Sequence, residues 1–372
     1  MKKLIVLLLI LSAFSIFFYA CNDDPTSAIP DGPPVNEPPV VQITNPSDGE
    51  IIVDQMGTFF IGSAIDPEDG ELPPDSLVWK SNKDGVLGKG KVFLCQELSV
   101  NNHTITLTAI DSGGNRRSDT VKIHVWESIP RNIKVLFIGS SYFGYNNLPL
   151  MFKTLAEAAG KGVEIGEYIV GGMRLDYHST NPATEAKINE EDWDFVILQG
   201  SSITAAYPID HQYIFPPFTY HPLVPSLKLL KEKIEANCAS TKTVYMMPWA
   251  YENGNTWVEG YDDTYFDMQL LIYDNTILFS DEVPFMTAPV GWAWNTVLSE
   301  VEQLHYLYTE DMSHPSYRGS YLLSCVIYST FFREDLEGTE CYLGIPRVEA
   351  VYFQSVAADI VLDDMKLWNL IP

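Results

Sequence analysis

The feature that most constrains the fold of this chain is a change in hydrophobic period near Pro130. Beyond it, short apolar runs that predict buried strands alternate with segments of helical spacing, such as a predicted helix over 147–160. The predicted buried strands are 134–139, 165–170, 195–198, 244–247 and 285–288. This alternation predicts an α/β fold with a mainly parallel sheet covered by helices on both faces. In such sheets, functional residues lie beyond the carboxyl ends of the strands.

The segment before Pro130 has the shorter period that is typical of β-structure. Apolar and polar residues alternate in short runs separated by turn residues. These runs are 40–43, 58–62, 77–79, 104–107 and 121–125. About seven short strands in this space predict a small all-β sandwich over residues 38–127. With its strand around Trp79 and its run at 103–107, the segment resembles the immunoglobulin-like modules of bacterial surface proteins.

The N-terminus predicts a targeting signal rather than folded structure. Two lysines precede an apolar run that ends at Ala20, directly before Cys21. This arrangement resembles a bacterial lipoprotein signal peptide over residues 1–21, with Cys21 as the lipidated residue; the alternative is an uncleaved membrane anchor. Residues 22–37 are acidic and Pro-rich and predict an extended linker. Both alternatives tether the protein to the bacterial cell envelope, outside the cytoplasm, at the outer membrane or cell surface.

Charge and cysteine content exclude several partners and cofactors. The 372 residues carry a formal net charge of −26, so no nucleic-acid partner is predicted, because such a chain cannot neutralise a run of phosphates. Four cysteines besides Cys21 lie far apart without CxxC spacing, and no metal or other cofactor is predicted. Cys325 is predicted as a buried thiol in an apolar helix. A bridge of Cys341 with either Cys325 or Cys238 stays open.

One serine lies where a nucleophile could act. Ser141 directly follows the first predicted buried strand and precedes a helix, whose N-terminal amides favour developing negative charge. A phosphate-binding loop is the main rival, since Gly139 and Gly144 have the required spacing, but the Lys and Ser/Thr of such a loop are missing. No GxGxxG sequence supports a dinucleotide site. Taken alone, Ser141 would be interpreted as a helix cap.

Asp311 and His314 supply the groups that a serine nucleophile needs. The serine requires a base that takes its proton, and the base requires a carboxylate that orients it. Here Asp and His lie three residues apart on one loop before an apolar helix. Pro315 restricts His314 to an extended backbone. The other interpretation of this pair is half of a metal site, but no second His/Asp cluster completes one.

Several sequence blocks resemble those of the SGNH/GDSL hydrolases. Residues 138–142 with 147–149 resemble the first block, in the branch where Gly-Asn-Ser replaces Gly-Asp-Ser, and 311–322 resembles the last block. Intervening segments follow the family's order: 171–175, 193–199 and 288–294. The resemblance spans about residues 132–362. It implies a flavodoxin-like three-layer α/β/α sandwich in a domain over 132–372, and hydrolysis of esters through an acyl-enzyme.

The resemblance also implies residue roles. Ser141 would be the nucleophile, His314 the general base and Asp311 the residue that orients it. The oxyanion hole would use the backbone N–H of Ser141, the N–H of Gly172 or its neighbour Gly171, and one side-chain amide. Most of the family uses an Asn for that amide, whereas this chain has Gln199 after its third strand. One such donor contributes about 10²–10³ in rate, so this departure bears on catalytic efficiency.

Aromatic residues after the third and fourth strands suggest the substrate. Tyr207 opens one such segment, and Trp249 and Tyr251 open the other. Rings beside carboxylates and amides suit sugars, although the same rings could simply pack the loops down. We therefore expect a serine esterase that removes small acyl groups, such as acetyl, from a glycan. The alternatives are a catalytically weak glycan-binding protein at the cell surface and an acyltransferase that uses the same acyl-enzyme.

Overall fold

The computed structural model describes residues 36–53, 57–95, 98–126, 132–207, 223–256 and 263–371. The predicted signal peptide with Cys21 and nearly all of the predicted linker lie outside these residues. Residues 208–222, after Tyr207, and residues 257–262, before Asp263, lie outside them as well. Within the described part of the chain, no helix is long and apolar enough to cross a membrane.

The first part of the chain folds into two sheets that share one core. Its strands are β1 (Val40–Asn45), β2 (Glu50–Val53), β3 (Thr58–Asp66), β4 (Gly70–Glu71), β5 (Leu77–Ser81), β6 (Gly85–Lys89), β7 (Val92–Cys95), β8 (Asn101–Ile110) and β9 (Arg116–Trp126). One sheet contains β1, β3, β4 and β7, and the other has the order β2-β9-β8-β5-β6. Alternating residues of β8 are buried. Ile105 and Leu107 lie on the same sheet face as Trp79, the cross-strand partner of Leu107, and face Phe60 of the other sheet across the core. The five alternating runs that the sequence predicts before Pro130 all lie within these strands.

The second part of the chain contains a five-stranded parallel sheet, which confirms the predicted α/β class. Its strands are β10 (Asn132–Gly139), β11 (Gly162–Ile169), β12 (Phe195–Gln199), β13 (Lys242–Met246) and β14 (Met286–Ala288). Their order is β11-β10-β12-β13-β14 and every pairing is parallel. Numbered from β10, this is the 2-1-3-4-5 order of flavodoxin-like sheets. All residues of β12 are buried, as expected for a strand that is covered on both faces.

Helices connect these strands and cover the sheet. They are α1 (Ser141–Gly144), α2 (Leu148–Ala158), α3 (Leu175–Thr180), α4 (Pro182–Ile188), α5 (Ser202–Ala205), α6 (Val224–Asn237), α7 (Tyr265–Glu282), α8 (Val290–Val301), α9 (Tyr317–Phe332) and α10 (Arg347–Leu362). Helix α2 packs against α9, which also packs against α10, whereas α3 packs with α4 and α6. Right-handed crossovers on either side of β10 place these two groups on opposite faces. Helix α9 is buried along almost its whole length and forms the centre of its layer.

None of the described cysteines forms a disulfide with another described cysteine. Cys325 lies on α9 and is fully buried, as predicted from the apolar pattern around it. Burial raises the pKa of this thiol well above its ordinary value. Cys325 is therefore a packing residue in this structure and not part of a bridge.

Candidate active site

Ser141 is the first residue of α1 and lies just beyond the carboxyl end of β10. Its Oγ is 2.8 Å from Nε2 of His314, a residue 173 positions further along the chain. Nδ1 of His314 is 2.6 Å from a carboxylate oxygen of Asp311. Because a carboxylate only accepts, Nδ1 carries the proton of the neutral ring and Nε2 is left to accept from the serine hydroxyl. Serine, histidine and aspartate thus form one hydrogen-bonded chain.

The loop that carries the base is fixed largely by Asp311 itself. The second carboxylate oxygen, Oδ1, accepts from the backbone N–H of Ser313 at 2.9 Å and of His314 at 2.8 Å, and from the Thr309 hydroxyl at 2.9 Å. Partial burial alone would raise the pKa of Asp311, but these hydrogen bonds and that from the His314 ring outweigh it and lower the pKa to about 2. The carboxylate is therefore charged at neutral pH and orients the imidazole.

Gln199 supports the serine turn instead of facing the substrate side. Its side-chain Oε1 accepts from the backbone N–H of Ser140 at 2.7 Å and from the Ser140 hydroxyl at 2.8 Å. Its Nε2 donates to the carbonyl of Gly200, and the residue is only 2% exposed. The predicted oxyanion role therefore needs correction, because both ends of this carboxamide are bound inside the fold. Gln199 holds the residue before Ser141 in place.

Gly171 and Gly172 form an exposed turn beside the nucleophile strand. Val170 N–H donates to the carbonyl of Gly139 at 3.0 Å, and Met173 N–H donates back to Val170 at 3.1 Å. Gly172 has a φ of +75°, which the third position of this type II-like turn requires and which glycine adopts at little cost. Nothing lies within 4 Å of where a Cβ would stand at either glycine. The turn is thus open to a ligand at the carboxyl edge next to Ser141.

Trp249 is not at the rim of the cleft, contrary to the prediction from its position after β13. The side chain is fully buried. Its ring stacks on Trp294 and on Tyr142, both at 4.5 Å between centroids. Its indole N–H donates to the carbonyl of Ser313 at 3.0 Å. Trp249 therefore packs inside the fold and supports the loop that carries His314 through its bond to Ser313. Burial is favourable because the large apolar ring leaves water while its one N–H donor keeps a partner.

Tyr251 and Tyr207 are nearer to the surface. Tyr251 is half-buried, and its hydroxyl interacts with those of Tyr142 and Ser313. Burial raises its pKa. Tyr207 lines a cavity of about 230 Å³ together with Arg174 and Thr204. This cavity is bounded by the segments that follow β11 and β12, the two strands on either side of β10.

His178, to which the sequence assigned no role, packs directly behind the serine turn. It is fully buried on α3, and its Nε2 is 3.1 Å from the carbonyl of Gly139. Since that carbonyl only accepts, Nε2 carries the proton and Nδ1 accepts from the Thr184 hydroxyl at 3.2 Å. Burial lowers the pKa of His178, so the ring is neutral at pH 7. Two side chains, His178 and Gln199, therefore fix the end of β10.

A hydrogen-bonded Ser-His-Asp set at the carboxyl edge of a parallel sheet is an arrangement of serine hydrolases. Among the described residues, no group of three or more His, Cys, Asp or Glu side chains is placed to hold a metal ion. What the arrangement can do chemically is transfer a proton from a serine hydroxyl to a partly buried, oriented imidazole.

The comparison with solved structures supports the fold. No family model and no curated protein matches the sequence. Among solved structures, a DUF4886 family protein from Bacteroides uniformis is similar with a TM-score of 0.51 and 19% identity, over 62% of this chain and 95% of that one. This likeness shows a common fold for the α/β part. Solved neighbours at lower scores include SGNH/GDSL-like hydrolases.

One of these neighbours is an acetylxylan esterase from Geobacillus stearothermophilus, with a TM-score of 0.40 and 15% identity over 56% of this chain and 98% of that one. Another acetylxylan esterase has a TM-score of 0.39 and 16% identity, over 53% of this chain and 98% of that one. At these scores the side-chain geometry, and not the likeness, has to support any function.

Proposed function

We propose that this protein is a serine hydrolase of the SGNH/GDSL type that cleaves carboxylic esters through an acyl-enzyme on Ser141. The observation that supports the proposal most strongly is the continuous hydrogen-bond chain from Ser141 through His314 to Asp311. Its members come from two loops 173 residues apart. A serine that only caps a helix would bind a backbone N–H of that helix, whereas the Oγ of Ser141 is hydrogen-bonded to the His314 ring.

The reaction follows from the positions of these groups. Oγ of Ser141 bonds to the ester carbonyl carbon while its proton passes to Nε2 of His314 and the carbonyl π electrons move onto oxygen. Collapse of this intermediate breaks the bond to the alcohol oxygen, which takes the proton from Nε2. Water then repeats both steps and releases the acid, which regenerates the Ser141 hydroxyl.

The oxyanion needs donors that have no other partner. The N–H of Ser141 belongs to the first turn of α1, where no intrahelical acceptor exists. We assign the second donor to the N–H of Gly172 in its open turn. With Gln199 bound to Ser140 and Gly200, backbone amides take the place of the usual side-chain amide. Each donor of this kind contributes about 10²–10³ in rate.

We propose small acyl groups on a glycan, acetyl above all, as the substrate. The cavity beside β10 supports this class, since it combines the ring of Tyr207 with the polar side chains of Arg174 and Thr204. Sugars pack their C–H faces on rings and offer hydroxyls to polar groups. The high negative charge of the chain favours a neutral or cationic substrate over an acidic one.

The proposal includes a location and a domain plan. Lipidation at Cys21 would anchor the mature chain at the outer membrane or cell surface. The linker over 22–37 and an immunoglobulin-like module over 38–127 would then hold the catalytic domain, 132–372, away from the membrane. Labelling of cells with a fatty-acid analogue tests the anchor: we expect label on the parent and none on Cys21→Ala.

The test of the activity is hydrolysis of p-nitrophenyl acetate and of acetylated oligosaccharides by purified residues 22–372. We expect acetate release by the parent, and loss of at least about 10³-fold in Ser141→Ala. Ser299→Ala is the matched control, because Ser299 is exposed on α8 and binds only its own helix. An inactive parent, or Ser141→Ala at parental rate, contradicts the proposal. Transfer to an added sugar without net acetate release identifies an acyltransferase instead, and binding without turnover identifies a glycan-binding protein.

A further inference from the structure

The ring of Tyr145 lies flat against the His314 imidazole. The two ring centroids are 4.1 Å apart and the planes differ by 13°. Tyr145 follows α1, four residues after Ser141, and is 36% exposed. A stacked contact this close covers one face of the imidazole, which would otherwise meet solvent.

The backbone around Tyr145 is shaped to produce this contact. Tyr145 ends α1 with extended ψ, and the next two residues, Asn146 and Asn147, both have left-handed φ values of 55° and 52°. The Asn146 side chain donates to the carbonyl of Pro315 at 3.2 Å and to the Ser320 hydroxyl at 2.8 Å. A strained turn is thus tied by its own side chain to the loop of the base. Such strain persists only where surrounding contacts hold it.

A second ring limits the imidazole from another direction. Tyr142 meets His314 edge-on, with centroids 5.5 Å apart and an angle of 87° between the planes. Tyr142 is held by its stack on Trp249 and by the Ser202 hydroxyl at 3.0 Å. The Asp311 bond controls rotation of His314 in its own plane, and the two tyrosine rings restrict tilt out of that plane.

We propose that Tyr145 is a positioning residue for His314. Its ring face keeps Nε2 aligned with Ser141 and stabilises the imidazolium that forms when His314 takes the serine proton. The face of an aromatic ring carries the negative lobe of its quadrupole and attracts a cation within about 6 Å. The neutral ground state gains little from this attraction, so the effect falls on the rate of the chemical step. This inference rests on the proposed serine hydrolysis.

The expected size of the effect follows from cation–π energies. At a partly exposed site, loss of the ring face should slow the chemical step roughly 2- to 30-fold. Tyr145→Leu removes the face and keeps apolar bulk, so we expect a lower kcat and an unchanged KM. Tyr145→Phe keeps the face and should retain parental kcat. Phe266→Leu is the matched control, since Phe266 is an exposed ring on α7, 50% exposed, outside the loops of the triad.

The experiment measures two rates in the full chain: covalent labelling by a fluorophosphonate probe and hydrolysis of p-nitrophenyl acetate. The probe bonds to Ser141 with loss of fluoride and needs the same proton transfer, whatever the natural substrate. A series with mono-, di- and trifluorophenylalanine at position 145 keeps the shape of the ring while weakening its face. We expect the labelling rate to fall with each fluorine, whereas a purely structural ring would give equal rates.

The outcomes separate the two proposals. A parent that neither labels nor hydrolyses overturns the proposed function. A parent that labels, with Tyr145→Leu at parental rate or a fluorine series without slope, overturns the role of Tyr145 alone. Melting temperatures accompany each variant, and the fluorine series answers the question even where Tyr145→Leu unfolds early. A graded loss with rescue by Tyr145→Phe supports the assignment.

Discussion

Replacing Gln199 with Met tests whether this residue holds the serine turn or polarises the substrate. Met fills nearly the same volume but provides no strong acceptor. The Ser140 N–H and hydroxyl, which both bind Oε1 at 2.7 and 2.8 Å, would lose their partner inside the fold. A buried donor without a partner costs about 1–3 kcal/mol, so we expect Gln199→Met to lower the free energy of unfolding by about 2–6 kcal/mol.

The assay is urea unfolding followed by far-UV circular dichroism, because all the described α-helices belong to the α/β part. Gln269→Met is the matched control: Gln269 is also buried, but its Oε1 accepts only from the N–H of Ala250 and its Nε2 has no partner. Gln269→Met should therefore cost clearly less than Gln199→Met. The m-value should be the same in both variants.

The kinetic result separates the two roles of Gln199. If Gln199 were an oxyanion donor, Gln199→Met would lower kcat by about 10²–10³-fold and leave the free energy of unfolding nearly at the parental value. A support of the serine turn gives a large loss of stability, with a loss of kcat that follows displacement of Ser141. A cost below about 1 kcal/mol, or one equal to that of Gln269→Met, would refute the structural reasoning.

Three further predictions concern the groups around the triad. Asp311→Asn should keep the acceptor for the Ser313 and His314 amides but not orient the imidazole, so we expect kcat to fall about 10⁴-fold with little change in melting temperature. His178→Gln tests the pH dependence of stability. Burial lowers the pKa of His178 from 6.5 in the folded protein, so as the pH falls the unfolded chain binds the proton before the folded protein does. The free energy of unfolding should therefore decline as the pH falls below about 6.5. Urea unfolding at several pH values should show a shallower decline in His178→Gln, and parallel curves would contradict this. Met312 has a left-handed φ of 60°, which β-branched residues avoid, so Met312→Ile should lower the melting temperature and kcat more than Met312→Asn does.

The buried strands and the Asp311/His314 pair could be predicted from the sequence because local patterns encode them. Strand β12 is apolar because both of its faces are covered, and that run of apolar residues predicts a buried strand by itself. The spacing of Asp311 and His314 likewise encodes a local hydrogen bond. The juxtaposition of His314 with Ser141 needs the whole fold, but the strand-end rule and the resemblance to a known family were enough to anticipate it.

Side-chain direction was the part that sequence could not supply. The position of Trp249 after a strand predicts the rim of the cleft, yet the stack with Trp294 and Tyr142 buries it completely. Gln199 follows its strand in the expected place, but the nearby Ser140 donors capture its carboxamide. Both outcomes depend on partners that are distant in sequence, so no local pattern carries them. A buried donor that must find a partner is satisfied by whichever acceptor the fold brings near.

Backbone strain is concentrated where the two loops of the triad meet. Within the described residues, seven non-glycine positions have positive φ, and three of them belong to these loops: Asn146, Asn147 and Met312. Such conformations cost on the order of 1–3 kcal/mol each and persist only where other contacts over-determine them. Those contacts are present, since Asn146 binds the loop of the base and the carbonyl of Met312 accepts from the N–H of Glu252. Ser141 and His314 are therefore aligned by two strained segments that are tied to neighbouring loops, and this explains why changes at Tyr145 or Met312, which lie outside the triad, are expected to alter catalysis.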